Sequence, residues 1–152
     1  MKSIKPILIL IGIIGTTTYA QNTKKSEIMY IEEAIEIQKV IDDYFNGIFE
    51  GNTQKLRSVF HPNTVLYGDI KGQPYLKNLD DYLDGVKNRK SPKDMGEAFR
   101  MKTLGVEVLG NNAIVKLHFP MLGYNYYDFL SLSKIDGKWH IVNKLFTHIS
   151  RE

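Results

Sequence analysis

Tyr127-Asp128-Phe129-Leu130-Ser131-Leu132, then an Asp136-Gly137 pair, then Lys138-Trp139-His140-Ile141-Val142-Asn143-Lys144-Leu145-Phe146: apolar and polar residues alternate on both sides of a tight-turn dipeptide. That is the pattern of two antiparallel strands joined by a hairpin. It predicts strands over 124–134 and 138–149. Upstream, the same alternation predicts strands over 99–109 and 113–119, with Gly110-Asn111-Asn112 as the turn between them. Before residue 97 the period changes. Ile31, Ala34, Ile35, Gln38, Ile41, Phe45 and Ile48 fall on one face of a helix over 27–50, and Gly51 ends it. A short helix carrying Leu56, Val59 and Phe60 stops at His61-Pro62, because the residue before a proline is pushed out of helical geometry. Thr64–Tyr67 and Pro74–Leu76 are short strands. A third helix opens at Asn78 and carries Tyr82, Leu83 and Val86. Helices come first and long strands last, so the fold class is α+β and not a βαβ repeat.

The chain has 152 residues, 43% hydrophobic and 24% charged, with no Cys. That is one globular domain without disulfides, thiolate metal ligands or a Cys nucleophile. Residues 1–20 read as a signal peptide: a basic start at Lys2 and Lys5, an apolar run over Pro6–Gly15, and Thr18-Tyr19-Ala20 before the cut. The run is shorter than the roughly 20 residues a membrane span needs, so no stable membrane anchor is expected after cleavage. Localisation is then periplasmic or secreted. Residues 21–26 read as a flexible tail and 27–152 as the domain. Cleavage removes two lysines from a chain of 20 Lys+Arg and 17 Asp+Glu, leaving it near neutral. Nothing resembles the basic face of a nucleic-acid binder.

Strand alternation assigns faces. Tyr126, Asp128, Leu130 and Leu132 share one face of their strand, and Trp139, Ile141, Asn143 and Leu145 share one face of the next. These are the core candidates, and they put Asp128 and Asn143 among apolar neighbours, where a carboxylate needs a partner or a raised pKa. The other face carries Tyr127, Phe129, Val142 and Phe146 beside His140, Lys144 and His148. A sheet so apolar on both sides is expected to pair with a second copy, giving a homodimer through the sheet face.

The ordered set Tyr44-Phe45-Asn46-Gly47, Leu56, Phe60-His61-Pro62, Tyr82-Leu83, Val106-Glu107-Val108, Ala113–Leu117 and the two stretches quoted above resembles the NTF2-like superfamily. That superfamily includes SnoaL-type cyclases and ketosteroid isomerases. Within it the chain looks most like the putative lumazine-binding branch, over about residues 27–148. The resemblance implies a cone: a long N-terminal helix and two shorter helices packed on a curved antiparallel sheet, with a pocket inside.

Several residues are candidates for that pocket. Asp128 is either a general base in an apolar site or a structural carboxylate bonded to a neighbouring backbone, Tyr or His. His61 either exchanges a proton near neutral pH or caps the end of the second helix. Tyr67, Tyr75 and Tyr126 are either pocket hydroxyls or packing residues. Trp139 is a core residue that could also stack a flat ligand, and Asn143 joins this binding set. No metal site is expected: His140 and His148 share a strand face about 26 Å apart, and no His-Glu-x-x-His occurs. No glycine-rich nucleotide loop or Gly-x-Ser-x-Gly elbow is present, so no cofactor is expected. The leading expectation is a protein that binds a small apolar or aromatic molecule. The second is a cofactor-independent SnoaL or ketosteroid-isomerase type of enzyme, acting by proton transfer on a small carbonyl or cyclic substrate. The third is an interaction module that uses the sheet face.

Overall fold

The computed structural model describes residues 12–70 and 72–150. In chain order the elements are α1 (Gly12–Glu50), α2 (Thr53–Val59), β1 (Phe60–Ile70), β2 (Gln73–Asn78), α3 (Leu79–Lys87), β3 (Lys102–Leu109), β4 (Asn112–Met121), β5 (Tyr124–Ile135) and β6 (Lys138–Ser150). The chain divides into two units at the Glu33–Ala34 step. The described backbone of the first unit is helical, including the 21–26 stretch read as a tail. No Gly or Pro interrupts residues 16–46, so nothing in the sequence stops a helix there. The basic start and first apolar residues of the expected leader lie outside the described residues. Among the described residues, no helix is long and apolar enough to cross a membrane.

The second unit holds one curved, unclosed six-stranded sheet in the order β2-β1-β6-β5-β4-β3. Neighbouring strands are antiparallel except β1 and β6, which run parallel. The antiparallel reading of the sheet therefore needs this one amendment. It arises because α3 carries the chain to the far edge, and the β3–β6 meander returns it beside β1. The Asp136-Gly137 turn has φ of 49° and 76°, the two positive values that a two-residue hairpin of this hand requires.

The core lies between the helices and one face of the sheet. Ile37, Ile41, Tyr44 and Ile48 of α1, at steps of three and four, are all buried. Ile35, assigned to that stripe from the sequence, is instead exposed. Overlapping stripes fit the isoleucine-rich helix, and the buried one is rotated toward Tyr44. Leu56, Val59, Leu79, Leu83 and Val86 complete the helical side. Asn52 and Asn78 cap α2 and α3 by accepting from the backbone N–H of Lys55 and Asp81.

The predicted face of β6 changes midway. Leu132 pairs with Ile141, but the next pair is Ser131 with Asn143, so Val142 is an extra residue. This β-bulge shifts the alternation by one position. Trp139 and Ile141 face the core as predicted, whereas beyond the bulge Lys144 and Phe146 do. Leu145 is exposed, and Asn143 is half-buried. Asn143 Nδ2 donates to the Val65 carbonyl at 3.1 Å, tying β6 to β1 where both strands are irregular.

Candidate functional site

Sheet register sets out the site in rows. One row runs Tyr75, Gly68, Phe146, Asp128, Leu117 across five strands. The next runs Lys77, Leu66, Lys144, Leu130, Val115. Tyr126 lies in a third row, opposite His148 and Phe119. Paired residues point to the same side, so these rows carry Tyr75, Lys77, Lys144 and Tyr126 inward together. Tyr44 from α1 and Tyr82 from α3 pack over them.

At the centre is a buried polar triad. Lys144 Nζ donates to Asp128 Oδ2 at 2.8 Å and to Tyr44 Oη at 2.6 Å. The Tyr44 hydroxyl donates to the same Asp128 oxygen at 2.5 Å. The side chains of Lys144 and Asp128 are 5% and 0% exposed. Asp128 Oδ1 has no hydrogen-bond partner among the described residues, an uncommon state for a buried carboxylate. The ammonium also lies near four rings: Phe146 at 5.0 Å, Tyr44 at 5.3 Å, Tyr82 at 5.6 Å and Phe119 at 5.9 Å to the centroids.

Burial and neighbouring charges set the protonation of these groups. Burial lowers the pKa of Lys144; Asp128 opposes this shift, and the nearby Arg89 guanidinium adds to it. Burial and then Asp128 raise Tyr44 well above the ordinary tyrosine value. Burial pushes Tyr75 up to about 12 and raises Tyr82 and Tyr126. The hydroxyls therefore stay protonated donors, while the amine is the group eased toward its neutral form.

A cavity of about 220 Å³ opens onto this amine. Tyr75 and Lys77 of β2, Tyr82 and Val86 of α3, Arg89 beyond it, and Lys144 are among its lining residues. Tyr82, Val86 and Arg89 are three and four positions apart, one stripe of the helix and its exit. The volume lies below the roughly 300–1,000 Å³ of drug-sized sites, which suits a small metabolite.

The structure brings some of the sequence candidates together and separates others. Tyr75 and Tyr126 line the cavity. Asp128 is not a lining residue; it is bonded to Lys144, which is, and to Tyr44. His61 is in β1, directly after Phe60, the C-cap of α2; its ring nitrogen accepts from the Asn63 N–H and its ring faces His140. It does not line the cavity. Tyr67 is half-exposed on the opposite face of the sheet. Trp139 is buried and borders a separate, shallower cleft with Lys39, Val40 and His140. Among the described residues, no three His, Cys, Asp or Glu are grouped as metal ligands would be.

Sequence reasoning missed Lys144, Tyr44, Tyr82, Arg89 and Lys77. The bulge hid Lys144 by reversing its face. Tyr44 was recoverable from its spacing to Ile37, Ile41 and Ile48, and Arg89 from its spacing to Tyr82 and Val86.

Comparison with known proteins places this geometry in context. Residues 32–147 match the model of the family described as "Putative lumazine-binding". The chain is 32% identical over 108 residues to Aldolase FrzH of Cladobotryum sp., covering 68% of this chain and 81% of that protein. Its fold is similar to an NTF2-like protein of unknown function from Methylobacillus flagellatus KT, with a TM-score of 0.71, 20% identity and coverage of 79% and 94% of the two chains. A second such protein, from Shewanella baltica OS155, matches with a TM-score of 0.70, 21% identity and coverage of 80% and 98%. The sheet and helices carry the NTF2-like fold, and the chain belongs to the putative lumazine-binding family.

Proposed function

We propose that the cavity binds a small carbonyl compound and that Lys144 acts on it as an amine nucleophile, the first half of an aldol-type reaction. One observation carries this reading: a buried lysine among the residues that line the cavity, its amine eased toward neutrality and backed by a carboxylate and a tyrosine. Lysines desolvated near a second cation are the ones that form Schiff bases. The Lys144 ammonium passes a proton toward Asp128, directly or through the Tyr44 hydroxyl. The neutral amine forms a C–N bond to the carbonyl carbon. The carbonyl oxygen leaves as water, having taken up two protons, and a protonated imine remains. Loss of a neighbouring C–H proton then gives an enamine able to attack a second carbonyl. Hydrolysis frees the amine, and no redox partner is needed. The aldolase relative supports this choice of reaction class.

The test is reductive trapping. Acetaldehyde plus borohydride near neutral pH should ethylate Lys144 well before the surface lysines, as read by peptide mass spectrometry. Labelling of Lys144 no faster than the exposed Lys90 or Lys138 overturns the reading.

The proposal extends to assembly and location. Leu76, Tyr67, Leu145 and Phe129 form one exposed row across four strands of the outer face, with Ile114 beside it. This row supports a homodimer through the sheet. The leader supports export, with Gln21 as the first residue of the mature chain. N-terminal sequencing of the protein from its host checks that cut.

A further inference from the structure

We infer that the substrate is an oxo acid, whose carboxylate is held at the cavity mouth by Arg89 and Lys77 while its carbonyl meets Lys144. This rests on the carbonyl-binding reading above and adds the second functional group of the molecule. Both cations are half-buried lining residues. Neither forms a hydrogen bond to a side chain or an ion pair among the described residues; Lys77 only overlies the Tyr75 ring, at 5.6 Å. The lining contains no Asp or Glu. The carboxylates of α3, Asp80, Asp81 and Asp84, are exposed, and Asp81 acts on Tyr75 from outside the lining. A half-buried guanidinium without a counter-charge costs solvation, and a bound anion restores it.

Arg89 also influences Tyr44, Tyr75, Tyr82, Tyr126 and Lys144 electrostatically, so its charge reaches the whole cavity. Lys77 and Lys144 share one sheet row with Leu66 between them. Two interstrand spacings put their Cα atoms about 10 Å apart. Two long side chains over that gap suit a molecule of a few carbons with one charged end. The planar fork of Arg89 matches a carboxylate, and 220 Å³ suits a short oxo acid better than a bulkier phosphate ester. The same anion would shield Lys144 from Arg89 and so tune the amine as it binds.

The test uses pyruvate as probe and acetone as its neutral counterpart, with binding followed by ligand-observed NMR on the full chain. Pyruvate should bind wild type at least about tenfold more tightly than acetone. Arg89→Gln with Lys77→Gln should weaken pyruvate binding at least about tenfold more than it weakens acetone binding, and so remove that advantage. Both cations are only half-buried, so the double variant should fold, and its melting curve checks this. Equal affinity for pyruvate in the wild type and the double variant overturns the inference, as does equal binding of pyruvate and acetone to wild type. Borohydride trapping is scored separately: Arg89-dependent pyruvate binding without trapping means that the imine reading has failed and the anion site stands.

Discussion

Lys144 Nζ and Asp128 Oδ2 are 2.8 Å apart, with side chains only 5% and 0% exposed. An isolated charge there would be costly; burial lowers the Lys144 pKa, and Asp128 opposes that shift. Replacing Asp128 by Asn leaves the ammonium buried without a counter-charge. The expected loss is about 3–5 kcal/mol of unfolding free energy by urea titration. Asp128→Leu with Lys144→Met should recover most of that loss, because an apolar pair of similar volume avoids the desolvation cost. The double variant should not trap acetaldehyde at position 144. A triad retained for stability alone would show the reverse order, with the double variant the weaker fold.

The pH dependence of labelling follows from the direction of the Lys144 shift. Only the neutral amine attacks a carbonyl, so its rate rises with pH until the amine is deprotonated and is then flat. Burial and Arg89 lower the Lys144 pKa, so its plateau should begin below the ordinary lysine value of about 10.4. Surface lysines in the same sample should keep gaining rate up to that value. Imine formation with a small enal, followed by near-ultraviolet absorbance on wild type and Lys144→Met, separates the two populations. A Lys144-specific rate that still climbs at pH 10 contradicts the assignment.

Much of the fold was legible because each strong local signal had one structural meaning. The Asp136-Gly137 dipeptide needs two positive φ values, and few motifs other than a tight hairpin supply them. The face of Lys144 was not legible. A bulge leaves no mark in a stretch such as Ile141-Val142-Asn143-Lys144, where apolar and polar residues tolerate either register. The parallel β1–β6 pair was hidden for a different reason: it joins segments far apart in sequence, and no local pattern encodes their direction. Asp128 was found because it breaks an apolar alternation on a strand that has no bulge before it. Arg89 was passed over although its spacing to Tyr82 and Val86 marks the same stripe, since a charged residue just past a helix end is ordinarily a solvated one.

Gly68 sits opposite Phe146 in the parallel register, and a Cβ on Gly68 would run into the Phe146 ring. Gly68→Ala therefore forces the ring to move, and that ring also lines the cavity. The expected cost is about 1–3 kcal/mol of stability, together with weaker binding of any cavity ligand. Urea titration and ligand-observed NMR on the one variant measure both. A stability loss with binding intact would place the adjustment elsewhere, in the backbone of β1.

The outer row of Leu76, Tyr67, Leu145 and Phe129 predicts the effect of a single charge. Leu145 is half-exposed in the middle of the row, with its side chain away from the core. Leu145→Glu should leave the melting temperature of the subunit nearly unchanged, as exposed substitutions do. It should convert a dimer to a monomer in sedimentation velocity, because a carboxylate facing its symmetry mate across an apolar interface is repelled and desolvated. A wild-type chain that sediments as a monomer removes the sheet-face dimer outright.

Gly85 separates the cavity from the stability of the fold. It lines the cavity from within α3, and a Cβ added there would meet nothing within 4 Å. The Cβ of a side chain added at Gly85 thus meets no packed atom. Glycine inside a helix is worth about 0.5–1 kcal/mol less than alanine, so a side chain at this position should make α3 more stable. A leucine adds bulk to the lining of the cavity that Lys144 also lines. The variant should therefore melt at or above the wild-type temperature while losing both pyruvate binding and acetaldehyde trapping at Lys144. The Lys144–Asp128–Tyr44 contacts stay in place in this variant, so lost trapping reports access to the amine and not damage to it. Trapping that persists in a stable Gly85→Leu protein would mean that Lys144 is reached by another route, and the cavity described here would no longer be the site of the reaction.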